Sequence, residues 1–152
     1  MLNRLGHYLK GDTLWRVYWG YISPRLEYAC GIWSTDNTMK LQKLQERFCR
    51  RHHVHITPLG TRFKYHTLLL FFKIKAKMSP SYLSSSLPKP INQSTSYNLR
   101  KTIYPVHLVN RKSSLTSFYR RAVILWNSFP VFVQEATSLN SFKSRLNAHF
   151  NM

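Results

Sequence analysis

Apolar positions recur every three to four residues along much of this chain, which predicts helices rather than strands. The first such segment covers residues 14–22. The pair Ser23-Pro24 ends it and begins a second helix through residue 33, because proline is favoured at the first helical position. This second helix is rich in aromatic residues, and we expect it to be buried on most sides.

A third helix is predicted between residues 38 and 53, and its charged residues gather on one side. Leu41, Leu44 and Phe48 form an apolar stripe that is expected to pack against the core. About a quarter-turn from that stripe lies a set of basic side chains, called the basic face below. The basic face consists of Lys40, Lys43, Arg47, Arg50 and Arg51.

The segment that follows the basic helix is predicted to turn and then become helical again. Residues 57–60, with Pro58 and Gly60, are typical of a turn. Residues 65–77 are very apolar in the middle and predict a fourth helix. Lysines alternate with Ile74 and Ala76 at its end, so a short strand there is an open alternative.

The last third of the chain is predicted to hold two more helices. Residues 84–96 are rich in Ser, Pro and Asn, which is typical of a linker, and residues 99–109 favour an extended conformation. A helix capped by Thr116 or Ser117 is expected to reach Trp126. Another, capped by Ser138, covers residues 139–150. Its apolar face comprises Leu139, Phe142, Leu146 and Phe150.

These elements predict a mostly α-helical protein in two parts. A small helical bundle would cover residues 12–83, and a polar linker residues 84–96. A smaller C-terminal helical part would cover residues 97–152 and pack through Trp126, Phe142 and Leu146. An apolar fraction of 43% in 152 residues is enough for one modest core or two small ones.

The excess of basic residues indicates a polyanionic partner. The chain has 23 Lys and Arg against 5 Asp and Glu, a formal net charge of +18. Such a surplus repels itself unless a polyanion neutralises it, so a nucleic acid is the expected partner. The candidate phosphate contacts are the basic face and seven further basic residues. These seven are Arg62, Lys64, Lys73, Lys75, Lys77, Arg120 and Arg121, although Arg120 or Arg121 could instead pair with Glu135.

Three sequence motifs in this chain resemble motifs of one protein family. Residues 24–33 read Pro-Arg-Leu-Glu-Tyr-Ala-Cys-Gly-Ile-Trp, and residues 41–47 read Leu-Gln-Lys-Leu-Gln-Glu-Arg. Residues 117–130 read Ser-Phe-Tyr-Arg-Arg-Ala-Val-Ile-Leu-Trp-Asn-Ser-Phe-Pro. In this order they resemble the region after the polymerase core of non-LTR retrotransposon reverse transcriptases, of the LINE or jockey type. The resemblance extends over residues 14–150.

The resemblance implies a thumb and the segment beyond it, which would hold RNA or an RNA–DNA hybrid near the active site. The polymerase core of the same element is then a second implied partner. The Tyr-x-Asp-Asp signature of RNA-directed DNA polymerases is missing, and Asp12 and Asp36 have no acidic neighbours. Two-metal phosphoryl transfer requires clustered carboxylates, so we expect no enzymatic activity from this chain.

Other chemistry finds less support in the sequence. Cys49, His52, His53 and His55 lack the regular pairing of zinc ligands, so no metal is expected. Five scattered glycines form no phosphate-binding loop, and no cofactor or small-molecule substrate is indicated. The tryptophans and tyrosines of residues 15–33 can stack on bases, but their helical spacing favours core packing.

The apolar runs and the two cysteines indicate the expected cellular location. Residues 1–10 hold no secretory signal, and the run at residues 68–72 is too short to cross a bilayer. We therefore expect a nuclear or cytoplasmic protein, neither secreted nor transmembrane, with Cys30 and Cys49 reduced. The alternatives are a truncated retroelement remnant without activity, a structural or interaction protein, and a cationic protein of membrane surfaces.

Overall fold

The computed structural model describes residues 11–34, 38–91, 104–106 and 117–151, and within these ranges all regular structure is helical. The predicted mostly α-helical class is confirmed. The helices are α1 (Gly11–Val17), a π-helical segment (Tyr18–Ile22), α2 (Ser23–Glu27), α3 (Cys30–Trp33), α4 (Met39–His52), α5 (Leu59–Lys75), α6 (Ser81–Ser85), α7 (Phe118–Ser128), α8 (Val131–Gln134) and α9 (Leu139–Phe150).

The chain divides into two compact units, Met1–Phe63 and Lys64–Met152. This boundary differs from the predicted division after residue 83. The reason is that the apolar residues in the second half of α5, Leu68, Phe71 and Phe72, belong to the core of the second unit. Of the predicted linker, residues 84–91 are described, and the remainder lies outside the described residues.

The predicted helix from Pro24 through residue 33 is interrupted, and its expected burial is wrong. The N–H of Tyr28 still donates to the carbonyl of Pro24 at 2.9 Å, but Ala29 then takes the left-handed conformation with φ 49°. The carbonyl of Ala29 accepts the N–H groups of Ile32 and Trp33, which begins α3. The break leaves Tyr28 80% exposed, with Ile32 and Trp33 also exposed.

The basic helix α4 forms close to the predicted bounds, with a different inner face. Phe48 is buried and Leu41 half-buried, as predicted for the apolar stripe. Leu44 is 59% exposed, so its assignment to the core is wrong. Gln45 is buried in its place, and the left-handed His53 ends the helix.

Helix α5 begins six residues earlier than predicted, so the second half of the expected turn at residues 57–60 is helical instead. The carbonyl of Pro58 accepts the N–H of Thr61 at 3.1 Å, and the N–H of Leu59 donates to Oε1 of Gln42 at 2.9 Å. A side chain of α4 thus caps the start of α5. The helix continues to Lys75, so the strand alternative is wrong.

A buried arginine holds the first unit together. The guanidinium of Arg62 on α5 is only 2% exposed and forms a salt bridge with the carboxylate of Glu27. The same group donates to Oγ of Ser23 at 2.7 Å. Its Nη2 donates to the hydroxyl of Tyr18 and to Oε1 of Gln45, both at 2.9 Å. The prediction that Arg62 contacts a phosphate is therefore wrong, because its charge is satisfied inside the protein.

The partners of Arg62 are themselves fixed by further bonds. The hydroxyl of Ser23 donates to Glu27 at 2.5 Å, and Nε2 of Gln45 donates to the carbonyl of Thr57 at 2.9 Å. Burial raises the pKa of Tyr18 in spite of the opposing charge of Arg62, so its hydroxyl stays neutral at physiological pH. The charge of Arg62 is thus paired and both Nη atoms donate, while the buried Nε has no hydrogen-bond partner among the described residues. A buried cation without any partner would be very costly.

The core of the second unit is aromatic. The rings of Phe72 and Phe142 stack with centroids 4.3 Å apart, and Trp126 lies 5.2 Å from Phe71. Helix α9 begins where predicted, since Oγ of Ser138 accepts the N–H of Ser141 at 3.1 Å. Its predicted apolar face is also confirmed by the complete burial of its two central members, Phe142 and Leu146.

A short segment without regular secondary structure, residues 104–106, packs against this core through Tyr104 and Val106. The side-chain amide of Asn127 donates to the carbonyl of Tyr104 at 2.9 Å and accepts its N–H at 3.1 Å. Residues 104–106 have no regular secondary structure, and the others of residues 99–109, for which an extended conformation is predicted, lie outside the described residues.

The Arg62 network predicts a large loss of stability in the variant Arg62→Ala. The variant removes the cation that pairs with Glu27 and the donors to Ser23, Tyr18 and Gln45, and breaking a buried ion pair typically costs about 3–5 kcal/mol. That cost is a large fraction of the stability of a small domain. Urea unfolding followed by circular dichroism measures it. The control Arg47→Ala removes an exposed arginine and should leave the midpoint nearly unchanged; equal midpoints for both variants would contradict the network.

Candidate nucleic-acid interface

The basic face of α4 is exposed along its whole length. All five of its side chains, from Lys40 to Arg51, are exposed to solvent. At about 100° per residue they cover roughly 100° of the helix circumference, away from the buried Gln45 and Phe48. The structure therefore brings together the basic residues that the sequence grouped on this helix.

The basic face carries five cations, against the single carboxylate of Glu46 on the same helix. None of its five residues forms a salt bridge within the part of the chain that the structure describes. The acidic residue of α4, Glu46, accepts a hydrogen bond from Nε2 of Gln42 at 3.0 Å instead. Leu44, which is exposed, borders the basic face on one side. Five adjacent unpaired cations attract a polyanion through counterion release.

The basic residues of α5 and of the turn after it have different surroundings in the second unit. Lys64 and Lys77 are exposed, and Lys73 is half-buried. The ammonium group of Lys75 lies over the ring of Trp126, 4.6 Å from its centroid. Burial lowers the pKa of Lys75, because desolvation disfavours its charged form. Lys75 thus packs on the core, whereas Lys64 and Lys77 face solvent.

Arg120 and Arg121 lie in the first turn of α7, and both are half-buried. The same helix buries Ala122, Val123 and Trp126 in the core of the second unit. Positive charge is unfavourable near a helix N-terminus, where the macrodipole is positive. These two arginines therefore offer a smaller and less exposed basic surface than α4 does.

Exposed aromatic residues are the feature that sequence reasoning missed. Tyr18 is buried, as core packing predicts, and Trp19 is half-buried. Tyr28, Trp15 and Trp33, however, are 80%, 45% and 43% exposed, so their assignment to the core is wrong. The left-handed Ala29 causes this for Tyr28 and Trp33, and no residue pattern marks an alanine for that conformation.

The cysteines are placed poorly for nucleophilic chemistry. Burial raises the pKa of Cys30 to about 11, with the nearby charge of Glu27 acting in the same direction. Burial also raises the pKa of Cys49. A thiol attacks as the thiolate, so both residues are weak nucleophiles near neutral pH. Among the described residues, no group of three His, Cys, Asp or Glu side chains is arranged to hold a metal ion.

No helix in the described ranges combines the length and the apolar character needed to cross a membrane. Comparison with protein-family models, curated proteins and solved structures finds no match to this chain. The geometry of the basic face is therefore the main structural support for a function.

The raised pKa of Cys30 predicts slow alkylation in the native protein. At pH 8, roughly one Cys30 side chain in a thousand would be a thiolate, and the residue is also buried. Iodoacetamide should label the half-buried Cys49 first, and Cys30 only as the pH approaches 11 or in urea. Peptide mass spectrometry over time measures both rates. Equal rates at pH 8 in the native protein would contradict the burial of Cys30.

Proposed function

We propose that this chain is a non-catalytic, nucleic-acid-binding segment of a LINE-type reverse transcriptase. The segment would bind the sugar–phosphate backbone through the basic face of α4. The observation that supports this most is the exposure of five Lys and Arg residues on one helix side, none of them in a described salt bridge. The phrases quoted above, with their resemblance to that family, support the retroelement origin. A nuclear or cytoplasmic location belongs to the same proposal.

The length of the basic face suits a nucleic-acid strand. Lys40 and Arg51 are eleven residues apart, which is about 16 Å along a helix that rises 1.5 Å per residue. One strand of a duplex places a phosphate about every 3.4 Å along its axis. The face can therefore follow about five phosphates, and Lys and Arg side chains are long enough to adjust to their spacing.

Binding of this kind is independent of base sequence. Phosphate contacts position a protein on a strand and carry no sequence information. The net charge of +18 adds long-range attraction, which raises the association rate at low salt. The segment would hold RNA or an RNA–DNA hybrid, while the polymerase core of the same element, its second proposed partner, performs the chemistry.

The proposal predicts the effect of the triple variant Lys43→Ala, Arg47→Ala, Arg50→Ala. Each lost phosphate contact should lower the slope of log affinity against log salt concentration by about one unit, so the slope falls by about three. Fluorescence anisotropy with a labelled RNA–DNA hybrid, measured over a salt series, gives this slope. Circular dichroism of the variant should remain that of the wild type, since all three residues are exposed.

A charge-matched control separates a defined interface from the general attraction of a polycation. The variant Arg16→Ala, Lys89→Ala, Lys143→Ala removes three basic residues that are not among the candidate phosphate contacts and lowers the net charge equally. It should keep most of the affinity and of the salt slope. If both triple variants lose the same amount, the basic face has no special role, and the remnant alternative, with only polycation behaviour, is favoured.

A further inference from the structure

We propose that Tyr28 and Trp33 form a stacking platform for unpaired bases, so that the ligand of the first unit is a single-stranded nucleic acid. This inference rests on the proposed function and specifies its ligand. It starts from the break between α2 and α3, where the chain exposes aromatic rings that the sequence predicts to be buried. Exposed aromatic rings beside cations are the usual means of binding single strands without sequence preference.

The indole of Trp33 is held in place by two contacts at the break. Nε1 of Trp33 donates to the carbonyl of Tyr28 at 2.6 Å, which ties the indole to the backbone of the tyrosine. The indole also packs edge-on against Phe63, with centroids 5.4 Å apart. Phe63 is buried, so one end of Trp33 is anchored while 43% of the residue stays exposed. A ring fixed in this way loses little conformational entropy when a base stacks on it.

The aromatic pair and the basic face belong to the same unit and share a hydrophobic cluster. Cys30, Leu59 and Phe63 form that cluster, and Leu41 of α4 packs against it. Leu41 lies beside Lys40 in sequence, at the end of α4 where the basic face begins. Leu41 thus connects the first turn of α4 to the cluster that contains Phe63, the residue on which Trp33 packs.

The charges around the pair favour a polyanion. Arg25 is exposed and precedes Tyr28 by three residues, so α2 carries a cation near the tyrosine in sequence. The nearest acid in sequence, Glu27, is occupied by Arg62 and Ser23. Its negative charge is thus compensated and does not repel a phosphate from this surface.

Stacking on an aromatic side chain favours a single-stranded ligand over a duplex. In a duplex both faces of an internal base are covered by its neighbours, so an aromatic side chain can stack only after the base is unstacked. A single strand offers its bases at much lower cost. The probe is therefore a single-stranded oligonucleotide, compared with an abasic strand that has the same length and the same phosphates.

The test is the affinity of the variant Tyr28→Ala for these two strands. Loss of one stacking residue should weaken binding of the base-containing strand about ten-fold and leave binding of the abasic strand unchanged. Tyr28→Phe keeps the ring and should bind like the wild type. Tyr82→Ala removes a tyrosine of similar exposure, 67%, from the second unit and should also bind like the wild type.

The outcomes distinguish this inference from the proposed function. If Tyr28→Ala binds both strands like the wild type while the α4 triple variant loses affinity, the stacking platform is overturned and the proposed function stands. The same conclusion follows if the wild type binds the abasic strand as tightly as the base-containing one. If Tyr28→Ala loses affinity and the α4 triple variant does not, the platform stands and the basic face is overturned.

Discussion

The first unit depends on the buried charge of Arg62. Its guanidinium joins the π-helical segment through Tyr18, α2 through Ser23 and Glu27, and α4 through Gln45. Short helices of five to seven residues have little stability of their own in water. A charge that must be hydrogen-bonded from several sides therefore selects one arrangement of these helices, since any other would leave it unpaired in an apolar environment.

The same interaction orients the basic face. Gln45 faces Arg62, so the rotation of α4 about its axis is fixed. Lys43 and Arg47 each lie two residues from Gln45, about 200° around the helix, and must face away from the network. The inward position of Gln45 also explains why Leu44 is exposed. One buried cation thus determines which other cations stay available to a ligand.

Sequence periodicity predicted those helices that are stabilised by a local cap or by the burial of an apolar face. The helix after Ser138 needed only a cap and an apolar face, and both are readable in the residues. The role of Arg62 was not readable, because a buried arginine is distinguished from an exposed one by partners up to 44 residues away. The early start of α5 depends on Gln42 of another helix. The exposure of Tyr28 depends on the left-handed backbone conformation of Ala29. Tertiary contacts decide such features, and a local pattern cannot contain them.

The scarcity of acids connects fold and function. Glu27 pairs with the buried Arg62, and Glu46 is the only acid of α4, so with 23 Lys and Arg against 5 Asp and Glu the acids are far too few to neutralise the surface cations. The compact state is then destabilised by the repulsion among those cations. A nucleic acid bound to the folded state alone relieves that repulsion and stabilises the fold by mass action. On this argument the proposed ligand contributes to the stability of the unit that binds it, and the salt that weakens binding also screens the repulsion in the free protein.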